Sequence, residues 1–156
     1  MRYSPVLTFP DAAQEAAVWI RELSELLGCE QRVGYEVLSI TLHAVRDRLS
    51  VDDNAKVGND LPLMLRGLYF EAWDPMKSRG HDDLRDLPAW LRAALPHSVG
   101  ADPNMFSKIE RLFEDRLRHK RPTKLNVALQ LCVATCETSD PVGEASKIQP
   151  SRQLPS

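Results

Sequence analysis

The chain has 156 residues, a length that suits one domain or two small packed repeats and can bury about two-thirds of its unfolded surface. Hydrophobic residues make up 43% and charged residues 27%, the balance of an ordinary soluble globular protein. The net charge of −2 excludes a molecule that binds nucleic acid through its overall charge. The opening stretch MRYSPVLTFPDAAQ has no apolar signal core, and no run is long and apolar enough to span a bilayer, so a cytoplasmic location with no membrane partner is expected. Cys29, Cys132 and Cys136 are an odd set in a chain that needs no staples, and they read as free thiols in a reducing compartment.

In chain order, the spacing predicts a first helix from about Phe9 to Leu27. Thr8 and Asp11 form a capping-box pattern, Gly28 is the stop, and Ala13, Ala17, Ile20, Leu23 and Leu27 make the core face. A second helix is predicted from about Glu30 to Leu49, with Leu38, Leu42, Val45 and Leu49 inward and Arg46, Asp47 and Arg48 mostly outward. Ser50 and Asp53 repeat the capping-box pattern and open a short helix through about Val57. A fourth helix, Pro62 to Trp73, is apolar nearly all the way round: Leu61, Leu65, Leu68 and Ala72 form one stripe, and Leu63, Gly67, Phe70 and Trp73 a second. Asp60 is positioned to accept from its first free amides, and Asp74-Pro75 stops it.

Pro75 to Asp82 reads as a loop. Helical signal returns from about Asp83 to Leu95, followed by a turn holding Pro96, Gly100 and Pro103. The helix from about Pro103 to His119 has the cleanest period, with Phe106, Ile109, Phe113 and Leu117, and Pro122 breaks it. The last helix, about Thr123 to Thr135, carries Leu125, Val127, Leu129, Leu131 and Val133 and reads as buried. The expectation is an all-α bundle of six to eight helices in a single domain, residues 1–137, with a disordered polar tail at 138–156. A shift of 68 positions lays Leu23 and Leu27 on Leu91 and Leu95, and Asp47-Arg48-Leu49 on Asp115-Arg116-Leu117. It suggests related halves at 9–75 and 83–136.

The run His43-Ala44-Val45-Arg46-Asp47-Arg48-Leu49, then Leu61-Pro62-Leu63-Met64-Leu65-Arg66-Gly67-Leu68-Tyr69-Phe70-Glu71-Ala72-Trp73-Asp74-Pro75, resembles the bacterial domain of unknown function (DUF) family 2267. Its members look like H-A-L-R-D-R-L followed by L-P-x-L-L-R-G-[IL]-Y-[YF]-E-G-W-D-P. The resemblance covers roughly Ala12 to Pro75. It implies an all-helical bacterial protein, with no established activity, cofactor or catalytic residue.

Among candidate sites, Arg66 stands on an otherwise apolar helix. Its guanidinium is expected to pair with a carboxylate of the second helix, such as Asp47, or to bind an anion. Tyr69, Phe70 and Trp73 cannot all point at one small core, so they are candidate interface residues as well as core. The basic run Arg116, Arg118, His119, Lys120, Arg121 and Lys124 sits at a helix C-terminus, where cations complement the dipole. Arg66, Arg116, Arg118, Lys120 and Arg121 are the candidate anion contacts. Cys132 and Cys136, one turn apart, supply at best two of the four ligands of a zinc site and read as buried thiols. His43, His81 and His97 are isolated, and the seven glycines form no phosphate loop.

No catalytic residue, metal site or cofactor is expected. The leading expectation is a non-enzymatic helical interaction or oligomerisation module, whose partner is a second copy or another protein. The alternative is a ligand-binding protein or enzyme with a pocket between helices near Arg66 and Tyr69. Nucleic-acid association through residues 116–124 is the weakest reading, because no aromatics interleave the basic run.

Overall fold

In a computed structural model that describes residues 5–77 and 83–138, the chain forms α-helices and one short 3-10 turn, and no strand occurs among the described residues. The helices are α1 (Pro5–Leu27), α2 (Gln31–Arg46), α3 (Val51–Asp60), α4 (Leu63–Phe70), α5 (Leu87–Ala94), α6 (His97–Gly100), α7 (Met105–Leu117) and α8 (Lys124–Thr138). The all-α expectation therefore holds. The polar tail beyond Thr138, and residues 78–82 of the expected loop with His81, lie outside the described residues; Pro75–Lys77 forms the 3-10 turn.

The long helix α1 packs on α2, α4 and α7, while α2 also packs on α4 and α5, and α8 closes over α5 and α7. One continuous apolar core results, running from Trp19 and Leu23 of α1 through Leu38, Leu42 and Val45 of α2 to Phe106, Ile109 and Phe113 of α7. Trp19 meets Phe113 edge-on, with ring centroids 5.4 Å apart at 73°, a favoured aromatic geometry.

That contact sets the rotation of α1 and corrects its expected face. Ala12, Trp19, Leu23 and Ser24 are buried, Ile20 and Leu27 are half-buried, and Ala13 and Ala17 face water. An indole removes far more apolar surface from water than two alanine methyls, so the tryptophan decides which side turns inward. The helix also begins at Pro5, so Thr8 lies inside it instead of capping it. It ends where expected: Gly28 takes φ +65, the left-handed conformation that closes many helices.

The cap on α3 forms as expected, with Ser50 Oγ accepting from the Asp53 amide at 3.2 Å. Helix α3 runs to Asp60, so that aspartate closes one helix and does not open the next. Helix α4 is shorter than its apolar stretch. It ends at Phe70 because Ala72 adopts φ 55, and the Trp73 amide turns back to the Phe70 carbonyl at 3.1 Å. Pro96 to Pro103, read as a turn, contains the single-turn helix α6. Helix α5 starts only at Leu87, since the preceding residues bond to the turn after α2: the Asp83 amide donates to the Arg48 carbonyl at 3.2 Å.

In α7 the predicted residues Phe106, Ile109, Phe113 and Leu117 are all buried. Helix α8 is only half covered: Leu125 and Leu129 are buried with Ala128 and Cys132, whereas Val127 and Leu131 are exposed, because α5 and α7 cover one side of it.

Ala72 carries a Cβ in a region where only glycine is free of steric cost. Ala72→Gly is expected to raise stability by about 1 kcal/mol. A urea midpoint that moves up at constant slope would bear this out, and an unchanged or lower midpoint would show that the turn carries no strain.

Candidate functional site

The polar residues around α4 are placed by the ends of three helices. Helix α2 stops at Arg46, so its last side chain reaches over the end of α4. Arg46 Nη1 donates to the Tyr69 carbonyl at 3.0 Å and to the Glu71 carbonyl at 2.7 Å, and its Nε donates to Asp47 Oδ1 at 2.9 Å. These carbonyls have no partner within α4, and a buried acceptor without a donor is costly. Asn54 of α3 donates to the Arg46 carbonyl at 3.0 Å and the Leu49 carbonyl at 3.3 Å, and accepts from the Tyr69 hydroxyl. Burial holds the Tyr69 phenol well above its usual ionisation range, against the pull of the Arg46 charge, so it stays a neutral donor. His43 Nε2 donates to the Leu68 carbonyl at 2.6 Å, which places the ring proton on that nitrogen.

Arg48 points the other way. Its Nε and Nη2 bond both oxygens of Asp86 at 2.9 and 3.1 Å, its Nη1 reaches the Ala44 carbonyl at 2.9 Å, and the guanidinium lies 5.0 Å from the centre of the Trp90 ring. Arg46 and Arg48 were expected outward, yet both are buried, with only Asp47 exposed. For Arg48 the expectation fails because α2 ends at Arg46 and the turn that follows swings Arg48 into the cleft against α5; Arg46, still helical, is buried where it bonds the Tyr69 and Glu71 carbonyls.

Arg66 does not meet Asp47. Its Nε donates to the Gly58 carbonyl at 2.7 Å, and its Nη2 to the carbonyls of Asn59 and Leu61 at 3.3 and 3.2 Å. It thus covers the free carbonyl end of α3, where a cation also complements the helix dipole. Tyr69 spends its hydroxyl inside the core, so Arg66 and Tyr69 do not form a shared polar pocket.

The aromatic trio also faces inward more than expected. Tyr69 is fully buried, and Phe70 and Trp73 are half-buried. Phe70 sits between them, 5.0 Å from the Tyr69 ring and 5.1 Å from the Trp73 ring. Its edge lies directly over Gly58, where a Cβ would collide with the ring. Tyr69 is therefore a core residue and not an interface residue.

Four exposed apolar residues, Phe9, Tyr35, Leu63 and Met64, gather on the opposite side of α4. Leu63 and Met64 of α4, each 47% exposed, line a groove of about 560 Å³ with Phe9 and Ile20 of α1 and Tyr35 of α2. Gly67, Leu65 and Leu68 form its floor, and among the described residues Glu71 is the only charged one in the lining. The sequence reading missed this groove. Phe9, Tyr35 and Leu63 are far apart in the chain, and the only local signals were Met64 and Gly67 on an apolar helix.

Three of the expected anion contacts, Arg66, Arg116 and Lys120, line a second hollow of about 270 Å³, together with Glu15 and Asp60. Arg66 is committed to carbonyls, and Arg116 Nε is held by Glu22 at 2.8 Å. Arg118 pairs with Asp115 at 3.1 Å, and Arg121 is exposed. On α8, Cys132 is buried, and burial, reinforced by the neighbouring Cys136, pushes its thiol up to about 12. Arg92 Nη2 donates to Cys136 Sγ at 2.5 Å. Among the described residues no group of three or more His, Cys, Asp or Glu side chains is arranged to hold a metal ion, and no helix is long and apolar enough to cross a membrane.

The model of a family described as "Uncharacterized conserved protein (DUF2267)" matches residues 16–93, half of the chain. The matched range holds most of α1 and the whole set of braces contributed by His43, Arg46, Arg48, Asn54, Arg66, Tyr69 and Asp86. No curated protein matches the chain at a significant level. The chain belongs to the DUF2267 family.

Two outcomes follow from this geometry. Tyr69→Phe leaves Asn54 Oδ1 buried without its donor, and is expected to cost roughly 1–3 kcal/mol in urea unfolding with the helical circular dichroism retained. A change below 0.5 kcal/mol, on the order of experimental scatter for surface sites, would remove the hydroxyl from the brace. A thiol reagent at neutral pH is expected to label Cys136 and to leave Cys132 unlabelled until denaturant is added. Rapid labelling of Cys132 in the folded protein would contradict its burial.

Proposed function

We propose that this member of the DUF2267 family is a non-enzymatic protein-interaction module and that the groove between α1, α2 and α4 is its contact face. The observation that carries the reading is the gathering of exposed Phe9, Tyr35, Leu63 and Met64 around one hollow. Scattered apolar residues are normal on a surface, but a contiguous patch of large ones lining a groove marks a place where another molecule binds. Tyrosine and methionine are also enriched where proteins meet.

The polar residues support the same reading. His43, Arg46, Arg48, Asn54, Arg66 and Tyr69 direct their hydrogen bonds at carbonyls and side chains of this chain. Groups committed in this way brace the fold and do not converge on a substrate. The free thiols Cys29, Cys132 and Cys136 support a reducing bacterial cytoplasm as its place of action.

The test is position-specific crosslinking in the cell. A photoreactive residue in place of Tyr35 or Met64 is expected to capture another protein chain, and one in place of Ala134, exposed on α8, is not. Leu63→Asp should abolish the product formed from position 35 while the melting temperature stays within a few degrees, since Leu63 is already half exposed. Equal products from all three positions, or none, would overturn the groove as the contact face.

A further inference from the structure

Gly67 stands in the middle of α4, where glycine costs a helix about 1 kcal/mol relative to alanine. Three other glycines have reasons inside the chain. Gly28 supplies a positive φ, Gly58 lies under the Phe70 ring, and a Cβ on Gly34 would strike Ser24 where α1 meets α2. Gly67 has none of these. Its φ is not positive, and a Cβ built on it meets nothing within 4 Å. Its bare backbone forms part of the groove floor, open to solvent.

We propose that the groove receives an amphipathic helix of a partner protein, which crosses α4 with its backbone close over Gly67 and pairs a basic residue with Glu71. This rests on the groove being the contact face. Glycine is the residue that lets another backbone approach closely, and none of the described residues makes that approach to this one. Phe9, Tyr35, Leu63 and Met64 then grip the apolar stripe of the incoming helix, with Met64 flexible enough to fit its side chains. Glu71 fixes direction and charge. Among the described residues it is the only charged group in the lining, and its carboxylate has no ion-pair or hydrogen-bond partner there.

The same carboxylate disfavours the other occupants. An anionic lipid surface repels it. In a second copy crossing α4 about a two-fold axis at Gly67, Glu71, four residues after the glycine, faces Leu63 of the partner, four before it, so a charge is buried against an apolar side chain.

The experiment titrates the full chain against two fluorescent helical peptides with the same leucine–alanine stripe, one flanked by lysines and one by glutamates. The lysine peptide is expected to bind at least roughly tenfold tighter, with an affinity that falls as salt rises. Gly67→Ala is expected to raise the melting temperature of the free protein by about 3 °C while weakening the lysine peptide about tenfold. Glu71→Gln should remove most of the preference for lysine. Equal binding of the two peptides, or unchanged binding by Gly67→Ala, would overturn the proposal. Self-association in light scattering that Gly67→Ala abolishes would give the groove to a second copy, and cosedimentation with phosphatidylglycerol vesicles would give it to a membrane; either result overturns it. Should neither peptide bind while crosslinks from position 64 persist, this inference falls and the groove stands as a contact face. Loss of the crosslinks as well removes both.

Discussion

A ring of three hydrogen-bonded residues ties the fold together where its middle helices end. Arg46 donates to the Tyr69 carbonyl, the Tyr69 hydroxyl donates to Asn54, and Asn54 donates back to the Arg46 carbonyl. Each of α2, α3 and α4 supplies one member. Because all three are buried, each bond gains strength from low local polarity, and each lost partner leaves a costly orphan. Burial also holds the Tyr69 phenol neutral, so it remains a hydrogen-bond donor.

The charged residues next to the ring extend the same logic to other exposed backbone. Arg66 covers the end of α3, His43 meets the Leu68 carbonyl, and Arg48 joins α2 to the residues that open α5. Local repairs of this kind let a short helix such as α4 survive, since eight residues are too few to be stable alone. Tyr69 and Leu65 anchor it from the core side, and Leu63, Met64 and Gly67 on the outer side are exposed.

The fold was legible wherever a single period persisted. Helix α7 reads directly from Phe106, Ile109, Phe113 and Leu117, and Gly28 and Ser50 mark true boundaries. The reading failed where one helix stopped earlier than its apolar pattern. Arg48 looked outward on a helical wheel extended to Leu49, and α4 looked complete to Trp73 because an alanine rarely takes the φ of 55 found at Ala72. In α1, counting apolar positions favoured Ala13 and Ala17, but the bulk of Trp19 decided the rotation. The groove was not legible, since its walls come from helices brought together only by the tertiary fold. Of the candidate residues, the aromatic trio was read as core or interface, and Tyr69 is core while Phe70 and Trp73 are half-buried, Trp73 beyond the end of α4; Arg66 was given the wrong partner.

The clasp between Arg48 and Asp86 has a topological consequence. With the Asp83 amide bonded to the Arg48 carbonyl, α5 is held against α2 by side-chain and backbone contacts of its own, and it rests on α8 from the other side. Covalent continuity between Lys77 and Asp83 is therefore not what keeps α5 in place. A chain cleaved there would yield two fragments, one ending after the 3-10 turn and one beginning before α5, that carry complementary halves of a single core. What the intact chain adds is high effective concentration of one half for the other, the property that a two-fragment reporter has to recover from its fusion partners.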